Sequence, residues 1–546
     1  MPNGHQRIAL YPLLYSLLPS ALIVGALNAP ANAFSLTPIG TFETGIFDES
    51  AAEIPAYDPI GKSLFVTNGN SDQIDVIDLA NPNSPTLKFS IPLGGGVNSV
   101  AYSNNIIAAA VEADMAQDPG FVKFFSTDGT FLNQVQVGAL PDMLTFTPDG
   151  AKLLVANEGE PNDDYDNDPE GSVSIINISD FSVTTAGFGK FNGTTLDESI
   201  RIFGPGATVA QDLEPEYITV SEDSKTAWVS LQENNAFGIL DIVNGEFTEL
   251  VGLGFKDHSL PGNGLDPSDR DGGVNIGNFE NLFGMYQPDA IASYLVGDTT
   301  YIVSANEGDA RDYDGLEEEE SIKDLILDPD AFPNADELQE DEKLGRLTVT
   351  NTLGDTDNDG DFDELYVFGG RSFSIWDEDG NLVFDSGDDF ERITADLFPN
   401  NFNANNDENN FDSRSDNKGP EPEGITIGKI GDRTYAFIGL ERIGGVMVYD
   451  ISDPLNPIFE GYSNNRDFNG DPEAGTAGDL GPEGLLFIGS GDSPNGNPLL
   501  VVTNEVSGST TIYSIDPESE TVPEPASGLG LLAMGFLAWL RGKGRS

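Results

Sequence analysis

One pattern recurs along most of this chain and limits what it can fold into. A stretch beginning at Leu213 reads LEPEYITVSEDSKTAWVSLQENNAFGILDI. Related stretches begin at Pro141 (PDMLTFTPDGAKLLVANEGE), Gln287 (QPDAIASYLVGDTTYIVSANEGD), Pro420 (PEPEGITIGKIGDRTYAFIGLERIGGVMVYDI) and Gly481 (GPEGLLFIGSGDSPNGNPLLVVTNEVSGSTTIYSI). Weaker copies begin at Glu53 and Val97. Each joins short apolar or alternating segments through Gly, Pro, Asp and Asn turns, which reads as strand–turn–strand. Asp128-Gly129 and Asp149-Gly150 are hairpin-type dipeptides. A single unit cannot bury its own faces, so neighbouring units must stack.

Radially repeated sheets of about four antiparallel strands close into a ring and hide their edges. The expected fold is therefore all-β: a β-propeller of seven or eight blades, with a short helical insertion in one blade. A β-helix, whose repeat is shorter and more regular, is the runner-up. The segment SLTPIGTFETGIF from Ser35 is expected to complete the last blade. The acid after Pro falls at Asp142, Glu216, Asp289, Glu423 and Glu483, and the step from Asp289 to Glu423 is twice the usual one. That spacing predicts a hidden unit starting near residue 356, continued by LYVFGG and SFSIWD, for eight units in all. The acidic run GLEEEESIKDLILDPDAFPNADELQEDEKLG reads as the helical insertion.

The hidden unit would start at DTDNDGDFDE, Asp355 to Glu364. Its acids at Asp355, Asp357, Asp359 and Asp363, with Gly360 at the turn, aim several oxygens at one centre, and Ca²⁺ accepts such a flexible oxygen shell. The first half resembles an EF-hand loop, but position 12 is Tyr366, so the bidentate closing Glu is missing. The pattern is more similar to the short calcium loops between propeller strands.

Two further acidic signatures recur. One is the acid after Pro at the start of each unit. The other closes the second segment: Asn157-Glu158, Gln232-Glu233, Asn306-Glu307, Leu440-Glu441 and Asn504-Glu505. A strand and its hairpin return begin and end on the same side, so Asp142, Glu158, Glu216, Glu233, Asp289, Glu307, Glu423, Glu441, Glu483 and Glu505 should ring one mouth of a central channel. Clustered carboxylates bind cations or take up protons. The loops 158–171, 265–275 and 307–315 are less specific hard-cation candidates.

Composition removes several chemistries. With 25 Lys+Arg against 92 Asp+Glu, the net charge of -67 repels nucleic acid. There is no Cys, which excludes thiol catalysis and thiolate metal sites. Only His5 and His258 are present, so a multi-His zinc site is excluded and a Ser-His-Asp triad would have to use His258, which reads as a surface residue in a polar loop. Ser304 and Ser372 read as ordinary strand residues. Arg311, Arg371 and Arg442 follow the second segments closely. They are weak catalytic candidates as phosphate clamps, the competing role being ion pairs with neighbouring acids.

The ends read as addresses. Residues 1–33 carry a basic flank at Arg7, an apolar run and the cleavage site Ala31-Asn32-Ala33, as in a secretory signal peptide. The propeller is expected over 34–517, and a linker and sorting segment over 518–546. That segment holds Val522-Pro523-Glu524-Pro525, an apolar stretch over 527–540 that is short for a stable span of ~20 residues, and a basic tail over 541–546. With Pro523, Glu524 and Pro525 at its head, it resembles the PEP-CTERM sorting signal. The resemblance implies handling by an exosortase, a transient inner-membrane stop through the C-terminal segment, and export to the outer cell surface or extracellular matrix.

The motifs FETGIFDESAAEIPAYD, VANEGEPN, LEPEYITV, MYQPDAIA, ANEGDARDY, FGGRSFSIWD and GPEPEGI together resemble the choice-of-anchor I family. That family is similar to the mesenchyme-specific cell-surface glycoproteins of biomineralising animals, and its members are often labelled alkaline phosphatase-like. The sorting signal, the acidic ring, the absence of Cys and the scarcity of His point to a secreted, calcium-binding β-propeller that binds extracellular polysaccharide or mineral ions, or serves structurally in the envelope. Its alternative is a calcium-dependent phosphomonoesterase acting on phosphate esters, in which bound cations replace the absent His.

Overall fold

The computed structural model describes residues 34–517; the signal peptide expected over 1–33 and the linker and sorting segment expected over 518–546 lie outside the described residues. Among the described residues, seven four-stranded antiparallel sheets carry the fold. Their first strands are Pro55–Asp58, Val97–Ser103, Pro141–Phe146, Ile218–Val220, Ile291–Val296, Pro422–Ile430 and Pro482–Ile488. Each first strand packs against that of the next sheet, and the seventh packs back on the first, so the sheets form a closed ring. This is the β-propeller expected from the repeats.

Strand character follows position in the sheet. The second strands, such as Ser63–Asn68 and Leu499–Asn504, are buried along their whole length. They lie between the two flanking sheets, so both faces must be apolar and their sequences run continuously hydrophobic (SLFVTN, LLVVTN). The fourth strands, such as Thr86–Pro92 and Val183–Gly187, are mostly exposed. The hydrophobic core is accordingly divided among the seams. Ala56, Phe65 and Val76 of the first sheet meet Val100, Ile107 and Ala109 of the second. Trp228 and Phe237 of the fourth meet Ile302 and Trp376 of the fifth. Fully burying one such side chain stabilises the fold by about 1.5–3 kcal/mol. The Asp128-Gly129 and Asp149-Gly150 turns join strands as expected, with Gly129 and Gly150 at φ 81° and 67°, a region where a Cβ is costly.

The ring is closed by strands from both ends of the described chain. Ser35–Glu43 is the outermost strand of the seventh sheet and runs antiparallel to Ser509–Asp516, with Ser35 opposite Asp516. This is the role read for SLTPIGTFETGIF.

The hidden eighth unit is not there. SFSIWD is Ser372–Asp377, the third strand of the fifth sheet, directly opposite Thr299–Asn306. LYVFGG supplies Leu365–Val367, which pairs in parallel with Leu282–Met285 in a small three-stranded sheet. Residues 307–371 are thus one insertion between the second and third strands of the fifth sheet, and the doubled spacing measures that insertion. Nor is the acidic run a helical segment of any length: it carries the short strand Glu319–Ser321, a single 3-10 turn at Ile322–Asp324 and one helical turn at Ala335–Leu338. The longest helix among the described residues, Asp389–Leu397, follows the fifth sheet instead.

Candidate functional site

The first strands converge on one cavity of about 240 Å³, lined from all seven sheets. Ile54, Asn98, Asp142, Glu216, Asp289, Glu423 and Glu483 each represent one sheet in its wall. Glu158 and Glu307 line it from the ends of second strands. The remaining predicted acids join them in close groups. Glu158, Glu216 and Glu233 bring carboxylate oxygens within 4.8 Å of one another, as do Glu53, Glu483 and Glu505, Asp289, Glu307 and Glu423, and Glu307, Glu421 and Glu441. All ten acids predicted for the mouth are therefore assembled around the channel.

Backbone register explains the convergence. The amide of Glu216 donates to the carbonyl of Ser230, and that of Asp289 to Ala305, at 3.2 Å each. Ser230 and Ala305 stand one residue before the end of a second strand. The first acid is thereby pinned beside the residues that follow the second strand. This register places Gln232, rather than Glu233, at the position of Glu307; Gln232 Nε2 donates to Glu307 Oε2 at 3.1 Å. Glu233 stands one residue further on and still reaches Glu158 and Glu216. In the second sheet the place of the first acid is taken by Asn98, whose side-chain amide donates to the Pro141 carbonyl at 3.2 Å.

The ring is poor in hydrogen-bond donors. The Oε2 atoms of Glu216, Glu233, Glu423 and Glu483 are buried with no partner among the described residues. Two unit charges 4 Å apart repel by about 4 kcal/mol at an effective dielectric of about 20. Burial accordingly pushes Asp142 up to about 7, with Glu160 adding to the shift. Burial, opposed by a Ser50 hydrogen bond and reinforced by Glu505 and Asp142, pushes Glu53 up to about 7. Burial first, then neighbouring carboxylates, raises Glu158, Glu216, Asp289, Glu423 and Glu483 well above the usual carboxylate range.

One sector differs. Lys418 Nζ lies 2.8 Å from Glu307 Oε1, 2.6 Å from the Gly308 carbonyl and 3.2 Å from Glu421 Oε2. Arg442 Nε donates to Glu421 at 2.9 Å and Arg414 Nε does the same at 2.9 Å. Burial opposes the ionisation of Glu421, but Lys418, Arg442 and Arg414 outweigh it and lower its pKa. The chain thus supplies its own cations between the fifth and sixth sheets; among the described residues no Lys or Arg forms an ion pair with Glu158, Glu216 or Glu233, although the Arg311 charge acts on Glu233 from further off.

The sequence reading missed Glu53, Glu421 and Lys418. Glu421 was legible as the first acid of PEPE, the counterpart of Glu214 in LEPE. Glu53 precedes its proline by two residues instead of following one, which hid it from a search for Pro-acid pairs. Lys418 carries no local signal.

Each of the arginine candidates is paired with carboxylates. Arg311 is 1 % exposed, pairs with Asp212 and lies 2.8 Å from Glu214. Arg371 donates to Glu391 at 2.6 Å and to the Ser415 carbonyl at 2.9 Å. Arg442 is held by Glu421 and, at 2.9 Å, by Glu441. Arg311 and Arg371 are buried, and burial of a guanidinium requires a paired charge. His258 is not a surface residue: it is 1 % exposed, its Nδ1 lies 2.6 Å from the Asn263 carbonyl, and burial, with Lys256 adding, pushes its pKa down to about 3. Ser304 and Ser372 hydrogen-bond within their sheet, to Asn306 at 2.7 Å and Asp385 at 2.6 Å.

The Asp355 loop lies in the insertion, away from the repeat it was expected to start. Asp355 accepts the amides of Asp359 and Gly360, both at 3.1 Å, and Asp363 accepts Thr356 Oγ1 at 2.6 Å. Asp357 and Asp359 are exposed. Asp363 also comes together with Asp328 and Asp361, so a distant Asp joins the loop. Of the longer loops, 158–171 packs on 307–315, with the Gly315 amide on the Asp163 carbonyl at 2.8 Å and Tyr165 edge-on to Tyr313 at 5.6 Å. In 265–275 burial pushes Asp266 up to about 7.

Fold and site together define an acidic-channel β-propeller. Residues 53–454 match the choice-of-anchor I domain and residues 521–545 the PEP-CTERM protein-sorting motif. The chain belongs to the choice-of-anchor I family, and its sorting motif makes it an exported, surface-associated protein handled by an exosortase. It is similar to gigasin-3a of Magallana gigas, at 32% identity over 200 residues, 34% of this chain and 70% of that protein. It is also similar to the mesenchyme-specific cell surface glycoprotein of Strongylocentrotus purpuratus, at 28% identity over 290 residues, 46% of this chain but only 37% of that one. Among solved structures it is similar to the beta-propeller domain of Cps50 (Swd1) from Myceliophteria thermophila, at 8% identity, covering 88% of this chain and 100% of that one with a TM-score of 0.43.

Proposed function

We propose that this surface-sorted propeller is a calcium-binding protein of the cell envelope or extracellular matrix, with Ca²⁺ held by its channel carboxylates. The observation that carries the reading is the set of buried, unpartnered Oε2 atoms on Glu216, Glu233, Glu423 and Glu483. A buried carboxylate without donors must take a proton or a cation. Oxygen-only donors of mixed strands suit Ca²⁺, which tolerates irregular shells. The Glu158–Glu216–Glu233 and Glu53–Glu483–Glu505 groups would hold the ion, because Lys418 already compensates Glu307 and Glu421. The ion would neutralise the inner ring and leave coordination positions for an acidic polymer or mineral anion at the mouth. The Asp355, Asp357, Asp359 and Asp363 loop is a second, exposed candidate for Ca²⁺.

The phosphomonoesterase reading is weaker. Phosphate transfer needs a cationic clamp free to meet the ester, and Arg311, Arg371 and Arg442 are each engaged by carboxylates. The deciding experiment is calorimetric titration of Ca²⁺ into chelator-stripped full chain, beside Glu216→Gln with Glu483→Gln. Saturable binding that weakens at least tenfold in the double variant supports the channel site. Equal binding in both sinks it.

A further inference from the structure

Glu233 stands in the turn Gln232-Glu233-Asn234-Asn235, which joins the second and third strands of the fourth sheet. Connecting segments usually run over the surface. Here all four residues are buried, Gln232 being the most exposed at 4 %. Their polar groups are met by chain remote in sequence. Arg201 Nη1 donates to the Glu233 carbonyl at 2.8 Å, and the Arg201 amide to the Asn234 carbonyl at 3.0 Å. Asn234 Nδ2 donates back to the Arg201 carbonyl at 2.9 Å and to the Asp212 carbonyl at 2.7 Å, while its Oδ1 accepts the Glu214 amide at 3.2 Å. The backbone of the turn is thus pinned, whereas Glu233 Oε2 has no partner among the described residues.

Arg201 is in turn held by the insertion of the fifth sheet. Its Nη2 pairs with Glu318 and donates to Thr352 Oγ1 at 2.9 Å. Glu318 is 0 % exposed and is tied to Arg311 in both directions: its Oε2 accepts the Arg311 amide and its own amide donates to the Arg311 carbonyl, each at 3.1 Å. Arg311 then reaches the Asp212 carbonyl at 2.7 Å and Glu214 Oε2 at 2.8 Å, in the stretch leading into Glu216. Both guanidiniums lie over the Phe203 ring, 4.1 Å and 4.5 Å from its centre. The insertion therefore grips two acids of the fourth sheet by their backbones, Glu233 through Arg201 and Glu216 through Arg311.

We infer that Arg201 and Glu318 are positioning residues for the Glu158–Glu216–Glu233 cation group, and that the insertion 307–371 is the clamp that fixes its width. This inference rests on the channel reading above. Selection between Ca²⁺ and Mg²⁺ depends on the size and rigidity of the oxygen cage. Carboxylates whose backbones cannot draw together suit the larger ion and deny Mg²⁺ its shorter bonds. Arg201 can do this because a planar guanidinium meets a carbonyl at one terminal nitrogen and a carboxylate at the other. A lysine ammonium is a single point on a flexible stem. Arg201→Lys would keep the charge beside Glu318 and lose the span to Glu233.

The test is calorimetric titration of Ca²⁺, and separately of Mg²⁺, into chelator-stripped full chain, with the binding that Glu216→Gln removes defining the site. In that component Arg201→Lys should weaken Ca²⁺ by about tenfold and leave Mg²⁺ nearly unaffected, so the preference for Ca²⁺ falls. Thr352→Val removes only a neutral acceptor of Arg201; it should move the preference the same way by less, and it decides the matter if Arg201→Lys fails to fold. A role in stability alone would lower the denaturation midpoint and leave the preference of the folded protein intact. An unchanged preference, with the Glu216-dependent component present, overturns the clamp and spares the channel site. If Glu216→Gln removes no binding, the channel reading falls and takes the clamp with it.

Discussion

Glu53 and Glu216 occupy the same place in two different sheets. The Glu53 amide donates to Thr67 at 3.4 Å and the Glu216 amide to Ser230 at 3.2 Å, each acceptor one residue before the end of a second strand. Equivalent backbone positions deliver equivalent carboxylates to the channel even where the surrounding residues differ. Six of the seven sheets place an acid there, Glu53, Asp142, Glu216, Asp289, Glu423 and Glu483, and the second places Asn98. Such concentration at one channel opposes folding unless something neutralises it.

Neutralising one member should therefore have opposite effects with and without metal. Glu216→Gln removes a buried charge while keeping its shape. In chelator the variant should be more stable than the parent by about 1–3 kcal/mol, and in Ca²⁺ its gain should be smaller. Urea denaturation in both media checks this. Destabilisation in chelator would show that Glu216 is already satisfied.

The pH dependence follows from the raised carboxylates. Asp142 and Glu53 stand at about 7, against ordinary values of 3.8 and 4.5. Between these limits the folded state binds more protons than the unfolded, so stability falls as pH rises. Their contribution is fully present below about pH 4 and lost as pH passes through about 7. Denaturation midpoints in chelator should decline from about pH 5 to about pH 8. Saturating Ca²⁺ should flatten the decline, because it competes with those protons. A metal-free midpoint that climbs over this range would contradict the shifts.

Arg311 should prove structural. Arg311→Met strands Asp212 and Glu214, both buried, and should cost about 3–5 kcal/mol. Phosphatase turnover measured with p-nitrophenyl phosphate should be absent in the parent protein with or without added Ca²⁺. Ca²⁺-dependent turnover that disappears in Arg442→Ala would instead revive the enzymatic reading.

The exposed loop can be separated from the ring. Asp357→Ala with Asp359→Ala should change thermal stability by less than about 0.5 kcal/mol in chelator, as for other surface changes. It should also remove one weakly held Ca²⁺ in dialysis and leave the affinity measured for the channel intact. If the Ca²⁺ count stays the same, these acids are a solvated turn.

Much of this architecture was legible in the chain because it depends on local, repeated chemistry. Apolar second strands such as LLVVTN, hairpin turns such as Asp149-Gly150 and acids at fixed offsets from them determine a propeller with a carboxylate-lined channel. The ten acids of the ring could be named because strand and return end on the same side whatever lies between. What only the tertiary structure decided depends on contacts remote in sequence. Spacing cannot tell an insertion from a unit, so the stretch from about residue 356 through SFSIWD read as a blade of its own until Ser372–Asp377 paired with Thr299–Asn306. Glu53 could be recognised only through its hydrogen bond to Thr67, and Lys418 only through its approach to Glu307. His258 sits in a polar stretch that reads as surface and Arg311 in an acidic loop, yet both are buried, Arg311 against Asp212 and Glu214 far along the chain. A local sequence records which face a residue prefers. Which distant charge will meet it there is set by closure of the ring.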